Sequence, residues 1–115
     1  MQIEEDQLMD ITDEHIPYLK RGCRIYYWEW FMGSWEYVII ADIVPDKRCS
    51  GGVKYRYTES EELPNYFEMS NPYLTAKELT SKVTSSLYRP HKILKSWWRR
   101  VKWDEQLESI LNETP

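Results

Sequence analysis

The sequence predicts an α+β fold: a bent three- to four-stranded antiparallel sheet built on one hairpin, with two C-terminal helices. Three observations carry that expectation. Two runs of aromatic and β-branched residues, 24–31 and 35–44, flank Gly33-Ser34. A third run, 53–58, alternates apolar and polar residues strictly. Thr75-Ala-Lys-Glu78 has the form of a capping box and opens a stretch of helical spacing that resumes after Pro90. At 115 residues, the chain reads as a single domain over 1–115. Its 42% hydrophobic and 15% aromatic content suffices for one modest core.

Residues 1–16 mix acids with Ile3, Leu8, Met9, Ile11 and Ile16, which reads as an acidic N-terminal arm or a short helix ended by Pro17. The β region spans 22–70. A two-residue loop with Gly33 first suits a type II′ turn and pairs Met32 with Trp35, Trp30 with Tyr37 and Trp28 with Ile39. That register gathers Tyr26, Trp28, Trp30, Met32, Trp35, Tyr37, Ile39, Ala41 and Ile43 on an uncharged face. The other face, with Ile25, Tyr27, Glu29, Phe31, Glu36, Val38, Ile40 and Asp42, is mixed. Pro45 closes the second strand, and Val53, Tyr55 and Tyr57 form one face of a third. A short fourth strand is expected at 65–69. The C-terminal helices cover 75–111. The first, 75–88, carries Leu79, Val83 and Leu87 and ends before Pro90. The second, 91–111, carries Ile93, Leu94, Trp97, Trp98 and Val101 on one face, but Leu107, Ile110 and Leu111 on another. A break at Trp103-Asp104, with Asp104 as a new N-cap, would reconcile the two faces.

The net charge of −4 conceals blocks of opposite sign. Residues 1–19 hold six acids and no base, 89–103 six bases and no acid, and 104–115 four acids and no base. A basic surface can therefore coexist with an acidic chain. The longest uninterrupted apolar stretch, 38–41, is far too short to span a membrane, and the first residues lack the basic and apolar regions of a signal peptide. A cytoplasmic protein without integral membrane association is expected. Cys23 and Cys49 fit neither a metal spacing nor a disulfide framework. No cofactor or metal is expected.

Two constellations stand out, each with a plainer structural explanation. The segment 89–103 interleaves Lys92, Lys95, Arg99, Arg100 and Lys102 with Trp97, Trp98 and Trp103. Such a helix can grip phosphates and stack on bases, or it can pack its apolar stripe on the sheet while its bases pair with the acidic blocks. The aromatic hairpin can be a partner-binding hot spot, or it can be core. On the register above, Tyr27 and Phe31 are the aromatics the uncharged face does not claim. The lone residues His15 and His91 make no nucleophile–base pair in sequence, and no nucleotide, metalloprotease or hydrolase motif is present.

Gly22-Cys-Arg-Ile-Tyr-Tyr27, Gly33-Ser-Trp-Glu-Tyr-Val-Ile-Ile40 and Val53-Lys-Tyr-Arg-Tyr57 resemble the opening strands of SH3-like and Tudor-like small barrels. The resemblance covers about 22–58 and implies a binding module rather than an enzyme. Two or three helices as large as the sheet depart from a complete five-stranded barrel. The expectation is thus a non-enzymatic protein-binding module, an inhibitor or adaptor of the kind phages and mobile elements encode. Its contacts would come from Tyr27, Phe31, Trp97, Trp98 and Trp103. The alternative is nucleic-acid binding through Lys92, Lys95, Arg99, Arg100 and Lys102. The sequence leaves the oligomeric state open.

Overall fold

In the computed structural model, residues 3–59, 72–81 and 89–113 are described. The strands are β1 (Leu8–Asp10), β2 (Arg24–Glu29), β3 (Ser34–Pro45), β4 (Val53–Thr58), β5 (Tyr73–Thr75) and β6 (Lys92–Leu94), and the helices are α1 (Ala76–Leu79) and α2 (Lys95–Glu113). The strands form one six-stranded sheet in the order β1-β6-β2-β3-β4-β5. Every pairing is antiparallel.

The expected three- to four-stranded sheet with two C-terminal helices is therefore corrected. Among the described residues the acidic arm supplies no α-helix but a 3-10 turn, Glu5–Gln7, then edge strand β1, and a second 3-10 turn, Ile16–Tyr18, begins at its end. Ile93 and Leu94, placed by spacing on a helix, belong instead to β6, inserted between β1 and β2. Hydrogen bonding to two strands distant in sequence outweighs a local helical period at these positions. Of the helix expected at 75–88, the described residues form one turn, and 82–88 lie outside them. Its capping box forms as expected, with Thr75 Oγ1 accepting from the Glu78 backbone N–H at 3.3 Å. It then ends at Leu79, where the backbone N–H and the hydroxyl of Thr80 both turn back to the Ala76 carbonyl. A Thr at this position competes for backbone hydrogen bonds and favours such an ending. The fourth strand expected at 65–69 lies outside the described residues.

The hairpin forms, but with a different turn. Glu29 pairs with Ser34 and Trp28 with Trp35, leaving Trp30-Phe31-Met32-Gly33 as a four-residue loop. Gly33 closes it with φ +63° and donates its N–H to the Glu29 carbonyl at 2.8 Å. Trp30 and Met32, expected on the uncharged face, are thereby placed in the loop. The change of register is even, so the two faces keep their membership as far as Ile40. There a bulge at Ala41 moves Ile43 to the face of Ile40 and Tyr55.

Both faces carry a core. The larger one lies on the face expected to be mixed, where Ile25, Val38, Ile40, Tyr55 and Ile93 pack against Ile11 and Leu19 from the β1–β2 connection and Leu79 from α1. On the opposite face Leu8, Tyr26 and Trp35 form a smaller cluster flanked by Ile3, Trp28, Tyr37 and Leu94. Aromatic side chains fill this second cluster because few residues must cover a wide area.

The helix α2 runs without interruption through Trp103-Asp104, so the expected break is absent. From 95 to 113 it contains neither Gly nor Pro and is rich in Lys, Arg, Glu, Gln and Leu. Propagating such a helix costs less than stopping and nucleating it again. Among the described residues no helix is long and apolar enough to cross a membrane.

Candidate interaction surfaces

The base of the hairpin is basic. Lys20 and Arg21 lie in the turn that enters β2, and Gly22 adopts φ +96° there, donating its N–H to the Ile40 carbonyl at 2.8 Å. This turn carries its charges to the foot of α2. Lys20, Arg21, Arg24 and Arg100 line a cleft of about 540 Å³ together with Gly22, Cys23, Leu94, Ser96 and Trp97. Four cations and no acid among its lining residues give it a positive potential, and Arg24 also lies 4.5 Å over the Tyr37 ring. Of these cations only Arg100 was expected to bind. The run Lys20-Arg-Gly-Cys-Arg24 is visible in the sequence, but only the fold brings it to α2.

Cys23 in this cleft is no nucleophile. Its Sγ accepts from the Lys20 backbone N–H at 3.4 Å, and burial pushes the thiol above its ordinary pKa. A protonated, buried thiol is unreactive.

The other expected bases are engaged with the body. Lys92 sits in β6, 2.7 Å from Asp10, with its ammonium 5.8 Å from the Trp35 ring. Lys102 lies between Glu14 and Glu105, 3.7 Å from each, and 4.9 Å from the Trp98 ring. Arg89 stacks on Trp28 at 4.1 Å and approaches Glu5 at 3.9 Å. That leaves Lys95, Arg99 and Arg100 exposed along α2.

The far end of the same hairpin is apolar and rimmed by acids. Phe31 is fully exposed at the loop's apex, with Trp30 and Met32 exposed beside it. Glu29 fixes the loop by accepting the Phe31 backbone N–H at 3.1 Å, and Glu36 accepts the Ser34 hydroxyl at 3.0 Å. Glu4 and Glu5 line a depression with Gly33, Ser34, Trp35 and Arg89, so the acidic arm borders the loop, with one cation, 3.9 Å from Glu5, among its acids. Behind the apex, Trp30 meets Trp28 edge-on at 6.2 Å, and Trp28 meets Trp35 at 5.4 Å. The exposed loop is thus braced by a row of buried and half-buried rings. Trp30 and Met32 were missed because the shorter turn assigned them to strands.

Tyr27 is half-buried against the larger core. It lines a cleft of about 350 Å³ with Trp28, Tyr57, Glu59, Arg89 and His91, among others. Burial raises the pKa of Tyr27 and lowers that of His91, so both are neutral near pH 7. No Ser, Cys or Lys lines this cleft among the described residues.

Trp97 and Trp98 dock α2. Trp97 packs on the larger core. Trp98 meets the His15 ring edge-on at 4.5 Å and Tyr18 at 5.3 Å. The Tyr18 hydroxyl donates to the Glu105 carboxylate at 3.1 Å. His15 is buried, its Nδ1 accepting the Thr12 backbone N–H at 2.9 Å, and burial lowers its pKa. Trp103, by contrast, is 61% exposed. Among the described residues no group of three or more His, Cys, Asp or Glu is placed to hold a metal ion. Comparison with known protein families, with curated proteins and with solved structures finds no match to this chain.

Proposed function

We propose that this protein is a non-enzymatic, cytoplasmic protein-binding module that inserts its hairpin loop into an apolar pocket of a partner. The observation that carries this reading is the loop Trp30-Phe31-Met32, with Phe31 fully exposed at its apex. Turn positions ordinarily favour Gly, Asn, Asp, Ser or Pro, and a braced aromatic apex has no folding advantage there. It has the character of a binding anchor: an aromatic side chain on a rigid element, which loses little entropy when it enters a pocket. Glu4, Glu29 and Glu36 around it suit a partner whose pocket has a basic rim. Affinity capture from the native host with wild type and Phe31→Ser, each with and without nuclease, tests the reading. A protein captured through nuclease treatment and lost with Phe31→Ser is expected, the variant's thermal stability staying within about 0.5 kcal/mol of wild type. Capture that is nuclease-sensitive, or indifferent to Phe31, would overturn it.

The basic cleft supports a second reading, nucleic-acid binding at Lys20, Arg21, Arg24 and Arg100. Here affinity for a single-stranded oligonucleotide would fall steeply with salt, and the double variant Arg24→Gln, Arg100→Gln would lower the salt slope by about two phosphate contacts. Binding that is indifferent to salt would exclude this second reading.

A further inference from the structure

The face of α2 that borders the basic cleft continues past it. Ser96, Trp97 and Arg100 line the cleft from the helix, and Lys20 and Arg21 line it from the turn that enters β2. At about 100° per residue, Ser96, Arg99, Arg100 and Trp103 fall within an arc of about 100° on the helix. Trp103 lies about 4.5 Å along the axis beyond Arg100. It is 61% exposed, whereas Trp97 and Trp98 are half-buried against the body.

The first acids of the helix lie off that arc. Glu105 accepts the Tyr18 hydroxyl and approaches Lys102 on the body side, and Asp104 falls about 100° on from Trp103. An indole open to solvent is thus set one turn from a cationic cleft, on the same side of a continuous helix. Cations and an exposed ring side by side match a ligand that carries phosphates and flat, uncovered bases together. A single strand offers both. In a duplex the base faces are covered by their neighbours, so an indole on the helix surface gains nothing from them.

We infer that this face of α2 holds a single-stranded nucleic acid, with a phosphate in the cleft beside Lys20, Arg21 and Arg100 and the adjoining base stacked on Trp103. Arg99, on the same arc, meets the next phosphate. The inference rests on the second reading above and adds to it a preference for single strands and a stacking residue that lies outside the cleft. It leaves the hairpin loop available to a partner protein, because the cleft is at the base of the hairpin and the loop at its far end.

Fluorescence anisotropy of the full chain with an oligothymidylate of about 10 nucleotides, over a range of salt, tests the inference. A duplex of the same length, an abasic oligomer with the same backbone and polyglutamate serve as comparison probes. Oligothymidylate is expected to bind more tightly than any of the three. Trp103→Ala should raise its dissociation constant about 10-fold, leaving the salt slope, the affinity for the abasic oligomer and the melting temperature unchanged. Trp103→Phe should restore most of the loss. Arg100→Gln should weaken binding to both oligomers and lower the salt slope by about one phosphate contact. Salt-dependent binding that is equal for the duplex or the abasic oligomer, or indifferent to Trp103→Ala, would overturn the inference and leave the second reading standing. Absence of salt-dependent binding to any oligonucleotide, or equal binding of polyglutamate, would overturn both.

Discussion

The two halves of α2 have similar residues and opposite fates. In the first half Trp97, Trp98 and Val101 are half-buried, and Lys102 and Glu105 tie the helix to Glu14 and Tyr18. In the second half Trp103, Leu107, Ile110 and Leu111 are exposed on roughly the opposite side. The difference teaches that local propensity and tertiary packing act over different lengths. Intrahelical hydrogen bonding and favourable residues carry the helix through 19 residues, whereas contacts with the body engage only its first turns.

The largest test of this contrast is a pair of tryptophan truncations. Trp98→Ala should destabilise the fold by about 2–3 kcal/mol, because it opens a cavity between His15 and Tyr18. Thermal denaturation would then show a fall of about 8–15 °C. Equal losses from Trp98→Ala and Trp103→Ala would break the comparison.

Acid should loosen the first half selectively. Burial holds the pKa of His15 below its ordinary value of 6.5, so the unfolded chain binds a proton more readily than the folded one. The stability this contributes is complete above about pH 6.5 and is lost as pH falls below it. His91 acts in the same direction. Melting temperatures at pH 7.5 and 5.5 should therefore differ, and His15→Gln should reduce the difference. An unchanged pH dependence in that variant would remove His15 from the account.

Lys102→Met should have a smaller effect, below about 1 kcal/mol, since the ammonium is partly solvated and its carboxylate partners are exposed. Smallest of all is Trp103→Ala, which should leave stability within about 0.5 kcal/mol of wild type. Chemical denaturation would resolve both.

What the sequence made legible was local. Arms such as Arg24-Ile-Tyr-Tyr-Trp-Glu29 declare themselves through aromatic and β-branched content. Their faces were readable even though the turn was not, because an even change of register preserves which residues share a face. Gly33, with its positive φ, fits the start of a two-residue loop or the end of a four-residue one. Strands β1 and β6 were illegible for a different reason. Three residues each carry no pattern of their own, and their identity comes from partners far along the chain. The same holds for the basic cleft. Arg100 could be picked out as part of a charge block, but Lys20, Arg21 and Arg24 became its companions only when the sheet placed the foot of α2 against the hairpin's base. Phe31 stood out because the shorter turn set it on the mixed face beside Glu29 and Glu36, whereas the pairing ends at Glu29 and leaves it in the loop.

The sheet ends, among the described residues, on β1 and β5, each only three residues long. So short a border offers an incoming strand few backbone groups to pair with, and Lys92 bridges to Asp10 across the β1 side. The fold is in this respect guarded against growing by strand addition into fibrils. On the proposed reading, recognition falls to side chains carried on the hairpin loop, where a single substitution can alter specificity without endangering the sheet.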